Sequence, residues 1–123
     1  MQKKVADEGI DGRIYFETRG GLKDMVLSVK GGGVRPTDIR DLRGVLERES
    51  TAELAGFISL NEPSKAMRRE ASTAGSYQYG GHSYDRMQFL TVREMLEEKR
   101  EFHTPTKIGT TRITPGQGLL ELD

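Results

Sequence analysis

The sequence contains no cysteine and no tryptophan, and its charges favour neither sign. Without cysteine, disulfide frameworks and thiolate metal sites are excluded. The 19 basic residues balance the 19 acidic ones, so a nucleic-acid contact would have to come from a local cationic patch. No apolar run reaches the length of a membrane-spanning helix, and no signal-peptide pattern opens the chain. We therefore expect a cytoplasmic protein with no membrane partner.

The 123 residues are 34% apolar and 31% charged, which is typical of one globular domain with a modest core. After residue 103 the chain is rich in threonine, glycine and proline. We predict a folded domain over residues 1–103 and a C-terminal tail over residues 104–123. Within that tail, residues 118–122 could add a strand or dock on a partner.

Two strand-like runs, residues 14–17 and 25–30, flank a pair of glycines and predict a β-hairpin. If Gly20 and Gly21 are the turn residues, Asp11 lies opposite Lys30 across the ladder. Directly opposed residues share a face, so this register predicts one core face and one solvated polar face. A two-residue slip would keep both faces. The core face carries Ile14, Phe16, Met25, Leu27 and Val29, and the polar face carries Asp11, Arg13, Tyr15, Val26, Ser28 and Lys30.

The rest of the chain alternates between helical and strand-like patterns. The predicted elements are a helix over residues 36–49, a buried strand over 54–60, a helix from Pro63 to Gly75, a loop over 76–85, a strand over 86–90 and a short helix that opens with a Thr91–Glu94 capping box. The helix between the second and third strands favours a right-handed parallel crossover. The sequence therefore predicts an α/β fold of order β-β-α-β-α-β-α, with a central mixed sheet flanked by helices.

Two short motifs, Gly9-Ile10-Asp11 and Ser28-Val29-Lys30, resemble the PD-(D/E)xK nuclease site in the variant found in Mrr-like restriction endonuclease domains. The resemblance extends over about residues 7–98. It includes the segments VRPTDIRDLRGVLERE, GFISL, NEPSKAMRREASTAGSY and MQFLTVREMLE, which look like the C-terminal domain of some bacterial site-specific DNA methyltransferases. It implies a restriction-endonuclease-like core whose usual first helix is missing. Because methyltransferase motifs are absent, we expect a detached domain or a fragment of a longer methyltransferase.

The resemblance also implies a mechanism. Asp11 and the Val29 carbonyl would bind Mg²⁺ or Mn²⁺, and Lys30 would orient a metal-bound water or stabilise charge on the phosphate of double-stranded DNA. Ser28 stands where this family has an acid or glutamine, and a hydroxyl is a weak ligand for a divalent ion. The missing carboxylate could come from Asp7, Glu8, Asp41 or a partner chain in a homodimer.

These observations leave several functions open. One is a metal-dependent DNA endonuclease of a restriction-modification system, with Asp11, Ser28 and Lys30 as the catalytic set. Another is a non-catalytic DNA-binding or target-positioning module of a DNA methyltransferase, and a third is an interaction or dimerisation domain. Without the resemblance, an Asp11–Lys30 pair would be an ordinary ion pair on a solvated face.

The candidate DNA contacts are cations on the two helices. Lys65, Arg68 and Arg69 cluster on the exposed side of the second helix, and Arg43 lies on the first. Such cations contact phosphates without reading sequence, although a charged helix face is more often simply solvated. The aromatic residues Tyr77, Tyr79, His82 and Tyr84 predict packing at the edge of the core, with contact to bases or sugars as the alternative.

Overall fold

The computed structural model describes residues 10–110 of the 123-residue chain. Its elements are β1 (Gly12–Thr18), β2 (Gly21–Lys30), α1 (Pro36–Arg48), β3 (Ala52–Ser59), α2 (Lys65–Ser72), β4 (Ser76–Tyr79), β5 (His82–Asp85), β6 (Met87–Thr91), α3 (Val92–Glu97) and β7 (Lys107–Thr110). None of the helices in this part of the chain is long and apolar enough to cross a membrane.

One mixed five-stranded sheet organises the domain, with the strands in the order β6-β3-β2-β1-β7. Strand β1 is antiparallel to both β2 and β7, while β2, β3 and β6 run parallel to one another. Parallel neighbours need a long crossover, and α1 and α2 supply the two that are required. The predicted α/β class, with a mixed central sheet flanked by helices, is confirmed.

Helices α1 and α2 cover one face of the sheet. Their stripe residues Ile39, Leu42 and Ala71 pack with Val26 and Phe57 of the sheet in one continuous core. The prediction of a solvated face on the β1–β2 hairpin is therefore wrong at its centre, because Val26 is 0% exposed. Strand β2 has neighbours on both sides, and the crossover helix α1 folds back over the face that the sequence pattern assigned to solvent.

The opposite face is covered by a second, two-stranded sheet. Strands β4 and β5 form an antiparallel hairpin where the sequence predicted a loop. Gly80 and Gly81 turn it with φ angles of 62° and 82°, values that glycine adopts without strain. Tyr84 is buried, and it packs with Phe16 in a core shared with the main sheet. The predicted packing of these tyrosines against the core is what the structure shows.

The turn between β1 and β2 lies one residue earlier than predicted. Thr18 pairs with Gly21, so Arg19 and Gly20 form the connection, and Gly21 alone has a positive φ, 114°. The Thr18 hydroxyl donates to the Gly21 carbonyl at 2.8 Å and accepts from the Gly20 amide at 3.2 Å. These bonds shift the register by two residues, which keeps the predicted core face but moves Asp11 out of line with Lys30.

Strand β7 was not predicted. Residues 107–110 pair with β1 as an edge strand, whereas the sequence assigned everything after residue 103 to a tail. Strand β7 forms hydrogen bonds with the outer edge of β1. No pattern in residues 107–110 predicts that pairing. Residues 1–9, where the usual first helix was expected to be missing, and residues 118–122 lie outside the described part of the chain.

Phe102 packs so closely over Gly56 that there is no room for a side chain at this position. A Cβ atom on Gly56 would lie 2.8 Å from two ring carbons of Phe102, which no real Cβ tolerates. We expect Gly56→Ala to lower the free energy of unfolding by about 1–3 kcal/mol through overpacking. In a Phe102→Leu background the same change should cost much less, because those ring atoms are gone. Urea denaturation of the four variants measures this coupling.

Gly44→Ala is the matched control. Gly44 lies inside α1, and its added Cβ would meet only the flexible end of Arg48 at 3.3 Å. Alanine in a helix interior is favoured over glycine, so this variant should be neutral or gain up to about 1 kcal/mol. Equal losses at both glycines would contradict the packing argument.

Candidate functional site

Asp11 is fixed to strand β2 at the point where β1 begins. Its backbone amide donates to the Leu27 carbonyl at 2.7 Å, and its Oδ2 accepts from the Val29 amide at 2.7 Å. The hairpin register continues past the Gly12–Leu27 pair, which places Asp11 across from Ser28. The predicted direct opposition of Asp11 and Lys30 is therefore wrong, and the carboxylate is held by β2 backbone.

Lys30 has a different acidic partner from the predicted one. Its Nζ lies 3.4 Å from Oδ1 of Asp38, in the first turn of α1. Asp38 is 5% exposed, and its Oδ2 also accepts from the Arg35 amide at 2.8 Å. The sequence analysis did not connect Asp38 with Lys30. The signal for this pair was the short glycine loop after Lys30, which returns the first turn of α1 to the end of β2.

Several interactions act on the Asp38 carboxylate in opposite directions. Burial raises the pKa of Asp38, but hydrogen bonds from the Arg35 backbone and side chain, together with the charge of Lys30, outweigh it. The net effect lowers the pKa of Asp38 below its ordinary value. Asp38 is therefore ionised at neutral pH, and its charge is neutralised by Lys30 and Arg35.

A surface cavity of about 250 Å³ opens between α1 and the end of β2. Ser28 is 2% exposed and lines it together with Lys30. Its charged lining consists of three cations and two carboxylates: Lys30, Arg40, Arg48, Asp38 and Asp41. Arg40 and Arg48 form no ion pair with any carboxylate of the described residues. The cavity therefore keeps uncompensated positive charge beside the position of the predicted catalytic set.

The donors in this region do not fit a Mg²⁺ or Mn²⁺ site. Within residues 10–110 there is no group of three or more His, Cys, Asp or Glu side chains placed to hold a metal ion. Asp11 accepts the Val29 amide, and Asp38 is already paired with Lys30. Divalent ions of this kind prefer several oxygen ligands with carboxylates among them, and Ser28 supplies only a hydroxyl. Asp7 and Glu8 lie outside the described residues.

A second polar cluster on the same strands went unnoticed in the sequence. Arg13 Nη1 lies 2.8 Å from Oδ2 of Asp24 and 3.1 Å from Oε1 of Glu49. Burial lowers the pKa of Arg13, but hydrogen bonds and charge from the two carboxylates raise it overall. This cluster joins β1, β2 and the end of α1, so its role is to fix the helix on the sheet.

The four predicted DNA contacts separate into two pairs. Lys65 and Arg69 lie one turn apart on the exposed side of α2 and form no ion pair with a carboxylate in the described part of the chain. The guanidinium of Arg68 instead lies over the Phe89 ring, 5.8 Å from its centre. Arg43 donates to the Thr73 hydroxyl at 2.7 Å and to the Thr73 carbonyl at 3.2 Å, so it ties α1 to the end of α2.

The model of a family described as NACHT-associated inactive Restriction Endonuclease 1 matches residues 1–97. The chain belongs to this family. The match covers the hairpin, both crossover helices and the segment with Lys30, and it establishes a restriction-endonuclease-like domain. The family is named inactive, in keeping with a site whose lysine is paired with Asp38. No curated protein and no solved structure gave a match.

The lowered pKa of Asp38 predicts a pH-dependent stability. A folded-state pKa below the unfolded value of about 3.8 adds stability that is fully present above pH 4 and is lost as pH falls through the folded-state pKa. Asp38→Asn should therefore lower the free energy of unfolding by about 1–3 kcal/mol at pH 7, as expected for hydrogen bonds to a charged group. This difference should shrink below pH 4 in urea denaturation series.

Asp41→Asn is the control, because Asp41 is exposed and has no ion pair within residues 10–110. It should change the free energy of unfolding by less than about 0.5 kcal/mol at either pH. A loss at Asp38 that persists undiminished at low pH would show that packing, rather than charge, is responsible.

Proposed function

We propose that the chain is a non-catalytic module with a restriction-endonuclease fold, which binds double-stranded DNA through helix cations beside a NACHT domain. The observation that carries the proposal is the partner of Lys30. A catalytic lysine in such a site has to face the reacting phosphate, whereas this ammonium group is paired with the buried Asp38 carboxylate. Its positive charge is therefore neutralised by a carboxylate of the protein itself.

The chemistry of Ser28 supports the same conclusion. Metal-assisted phosphodiester hydrolysis needs carboxylates that gather a divalent ion and a water around the phosphate. Ser28 offers a hydroxyl, and Asp11 uses an oxygen to hold the Val29 amide. The family name, which includes the word inactive, agrees with this loss. We propose that the fold was kept for binding and that the predicted nuclease mechanism does not operate.

DNA contact is proposed for the cations that the fold leaves without acidic partners. Phosphate contacts position a protein on DNA and need exposed positive charge, but not base-specific geometry. Lys65 and Arg69 on α2 meet this requirement, as do Arg40 and Arg48 beside the cavity on α1. Because the net charge of the chain is zero, only such a local set can provide the attraction.

The proposed neighbour is a NACHT domain, because the family is described as NACHT-associated. The methyltransferase that the sequence resemblance suggested as partner or parent chain stays a prediction. The predicted homodimer stays a prediction, whether it supplies a missing carboxylate or serves as a dimerisation domain.

A cleavage assay tests the absence of catalysis. Supercoiled plasmid incubated with micromolar protein and either Mg²⁺ or Mn²⁺ should show no nicking above a protein-free control. Asp11→Ala and Lys30→Ala should give the same background. Metal-dependent nicking by the wild type that disappears in both variants would instead establish the endonuclease.

A binding titration tests the proposed DNA contacts. Replacing Lys65 and Arg69 together with glutamine should weaken duplex binding and reduce the slope of log K against log salt by about 2, roughly one for each lost phosphate contact. Fluorescence anisotropy with a labelled duplex between 50 and 200 mM salt, about a fourfold span of ionic strength, measures both effects.

Arg93→Gln is the matched control for this titration. Arg93 is an exposed arginine on α3, where Glu98 already pairs with it at 3.1 Å. Its removal should leave both the affinity and the salt slope unchanged. The same loss in the control and in the double variant would point to general electrostatics rather than a surface on α2.

A further inference from the structure

Ser28 carries a hydroxyl group that the protein itself leaves without a partner. The residue is 2% exposed, and it lines the cavity of about 250 Å³ between α1 and the end of β2. No group within residues 10–110 forms a hydrogen bond with this hydroxyl. In the same range only Asp24 Oδ1 is a fully buried side-chain oxygen without a partner, so the Ser28 oxygen is open to the cavity. Because buried polar groups are normally hydrogen-bonded, this hydroxyl is available to a ligand.

The wall of the cavity on α1 carries two arginines with a glycine between them. Arg40, Gly44 and Arg48 are four residues apart, so they lie on one face of the helix, and all three line the cavity. A Cβ atom on Gly44 would lie 3.3 Å from Nη1 of Arg48, so this guanidinium group folds back over the glycine. Neither guanidinium group has a hydrogen-bond or ion-pair partner in the described part of the chain. Two free cations therefore border the same cavity as the Ser28 hydroxyl.

Two carboxylates, Asp38 and Asp41, also line the cavity. Asp38 is neutralised by Lys30, whose Nζ lies 3.4 Å from Oδ1. Asp41 is exposed and forms no ion pair within residues 10–110, so it opposes an anion without cancelling both arginines. Asp11 lies across from Ser28 but is not among the lining residues. Three lining cations against two lining carboxylates leave the cavity with a net positive charge.

We propose that this cavity binds a phosphate monoester, and that the monoester is the terminal phosphate of a DNA strand. The inference rests on the proposed DNA binding and names the part of the DNA that is recognised. Guanidinium groups only donate hydrogen bonds and phosphate oxygens accept them. A monoester carries about −1.5 to −2 charges at pH 7 and three acceptor oxygens, more than an internal phosphodiester offers. The cavity is smaller than the roughly 300–1,000 Å³ of pockets for drug-sized ligands, which suits a single small group.

The surroundings of the cavity favour a DNA end over a free nucleotide as the source of the phosphate. Arg43 of α1 donates to the hydroxyl and carbonyl of Thr73 at the end of α2, so the two helices form one continuous surface. Lys65 and Arg69 on that surface are the proposed contacts to the duplex backbone. Among the described residues the lining includes no aromatic ring on which the base of a free nucleotide could stack. An internal phosphodiester continues into a sugar on both sides, whereas a terminal phosphate has one attachment and fits a closed hollow.

Binding of DNA hairpins that differ only in their terminal phosphate tests the proposal. Each hairpin has one blunt end with a 5′-phosphate, a 3′-phosphate or hydroxyl groups only, and a fluorescent label in its loop. In phosphate-free buffer at constant salt, anisotropy should show one phosphorylated hairpin binding about tenfold more tightly than the hydroxyl hairpin, the factor expected for charge-assisted hydrogen bonds. Ser28→Ala should lose most of this preference and bind the hydroxyl hairpin as the wild type does. Its thermal unfolding should match the wild type, because the hydroxyl has no partner in the fold.

Two matched variants separate the cavity from general electrostatics. Asp41→Asn removes a negative charge beside the cavity, so it should strengthen binding of the phosphorylated hairpin more than binding of the hydroxyl hairpin. Replacing Lys65 and Arg69 together with glutamine should weaken both hairpins equally and leave the ratio of their affinities unchanged. Equal affinity for all three hairpins, or a preference that Ser28→Ala retains in full, would overturn the proposal.

AMP and adenosine identify the source of the phosphate, with amide shifts of Ser28 and Lys30 in NMR spectra as the readout. AMP should bind far more weakly than the phosphorylated hairpin, and adenosine should cause no shift. AMP that binds as tightly as the hairpin would overturn the assignment to a DNA end in favour of a free nucleotide. If no hairpin binds while AMP still shifts these amides, the DNA proposal fails and the phosphate site stands. If AMP causes no shift either, the phosphate site fails as well.

Discussion

The ion pair between Lys30 and Asp38 ties the last residue of the central strand β2 to the first turn of α1. One partner is almost fully buried, and a charge in that position is stable only while its counter-charge remains. The pair fixes where the crossover helix begins, and α1 in turn buries the face of the hairpin that holds Ser28. The interaction that closes the fold thus also neutralises the charge of the lysine at the strand end.

The elements that could be predicted from sequence are those with a local signal, such as an apolar stripe or a capping box. The stripe of Ile39, Leu42 and Leu46 defines α1, and the Thr91–Glu94 capping box defines the start of α3, with the Glu94 amide donating to the Thr91 hydroxyl at 3.1 Å. The parallel pairing of β2 with β3 followed from the helix between them. For the two helices the signal and the structure lie within a few residues of each other, while the β2–β3 pairing follows from the rule that a helix between strands makes a parallel crossover.

The candidate site was harder to predict because it depends on partners that are distant in sequence. The Thr18 hydroxyl bonds within the turn, and the observed register differs from the predicted one by two residues, which places Asp11 across from Ser28. The partner of Lys30 comes from the next helix rather than from the facing strand. Sequence patterns specify the faces of strands reliably, since the period is two, but the register and the choice among several acids are decided by packing. The sequence pointed to Asp11, Ser28 and Lys30, but it did not point to Asp38 as the partner of Lys30.

Phe102 belongs to the core of the domain although it lies beyond the last residue of the family match. The family match ends at residue 97, yet the ring that fills the space over Gly56 belongs to a residue five positions later. The segment that follows α3 packs Phe102 against the sheet, and the Gln88 side chain bonds the adjacent backbone of His103. Truncation of the domain at the family boundary would remove Phe102 and expose Leu54 and Leu90 to water.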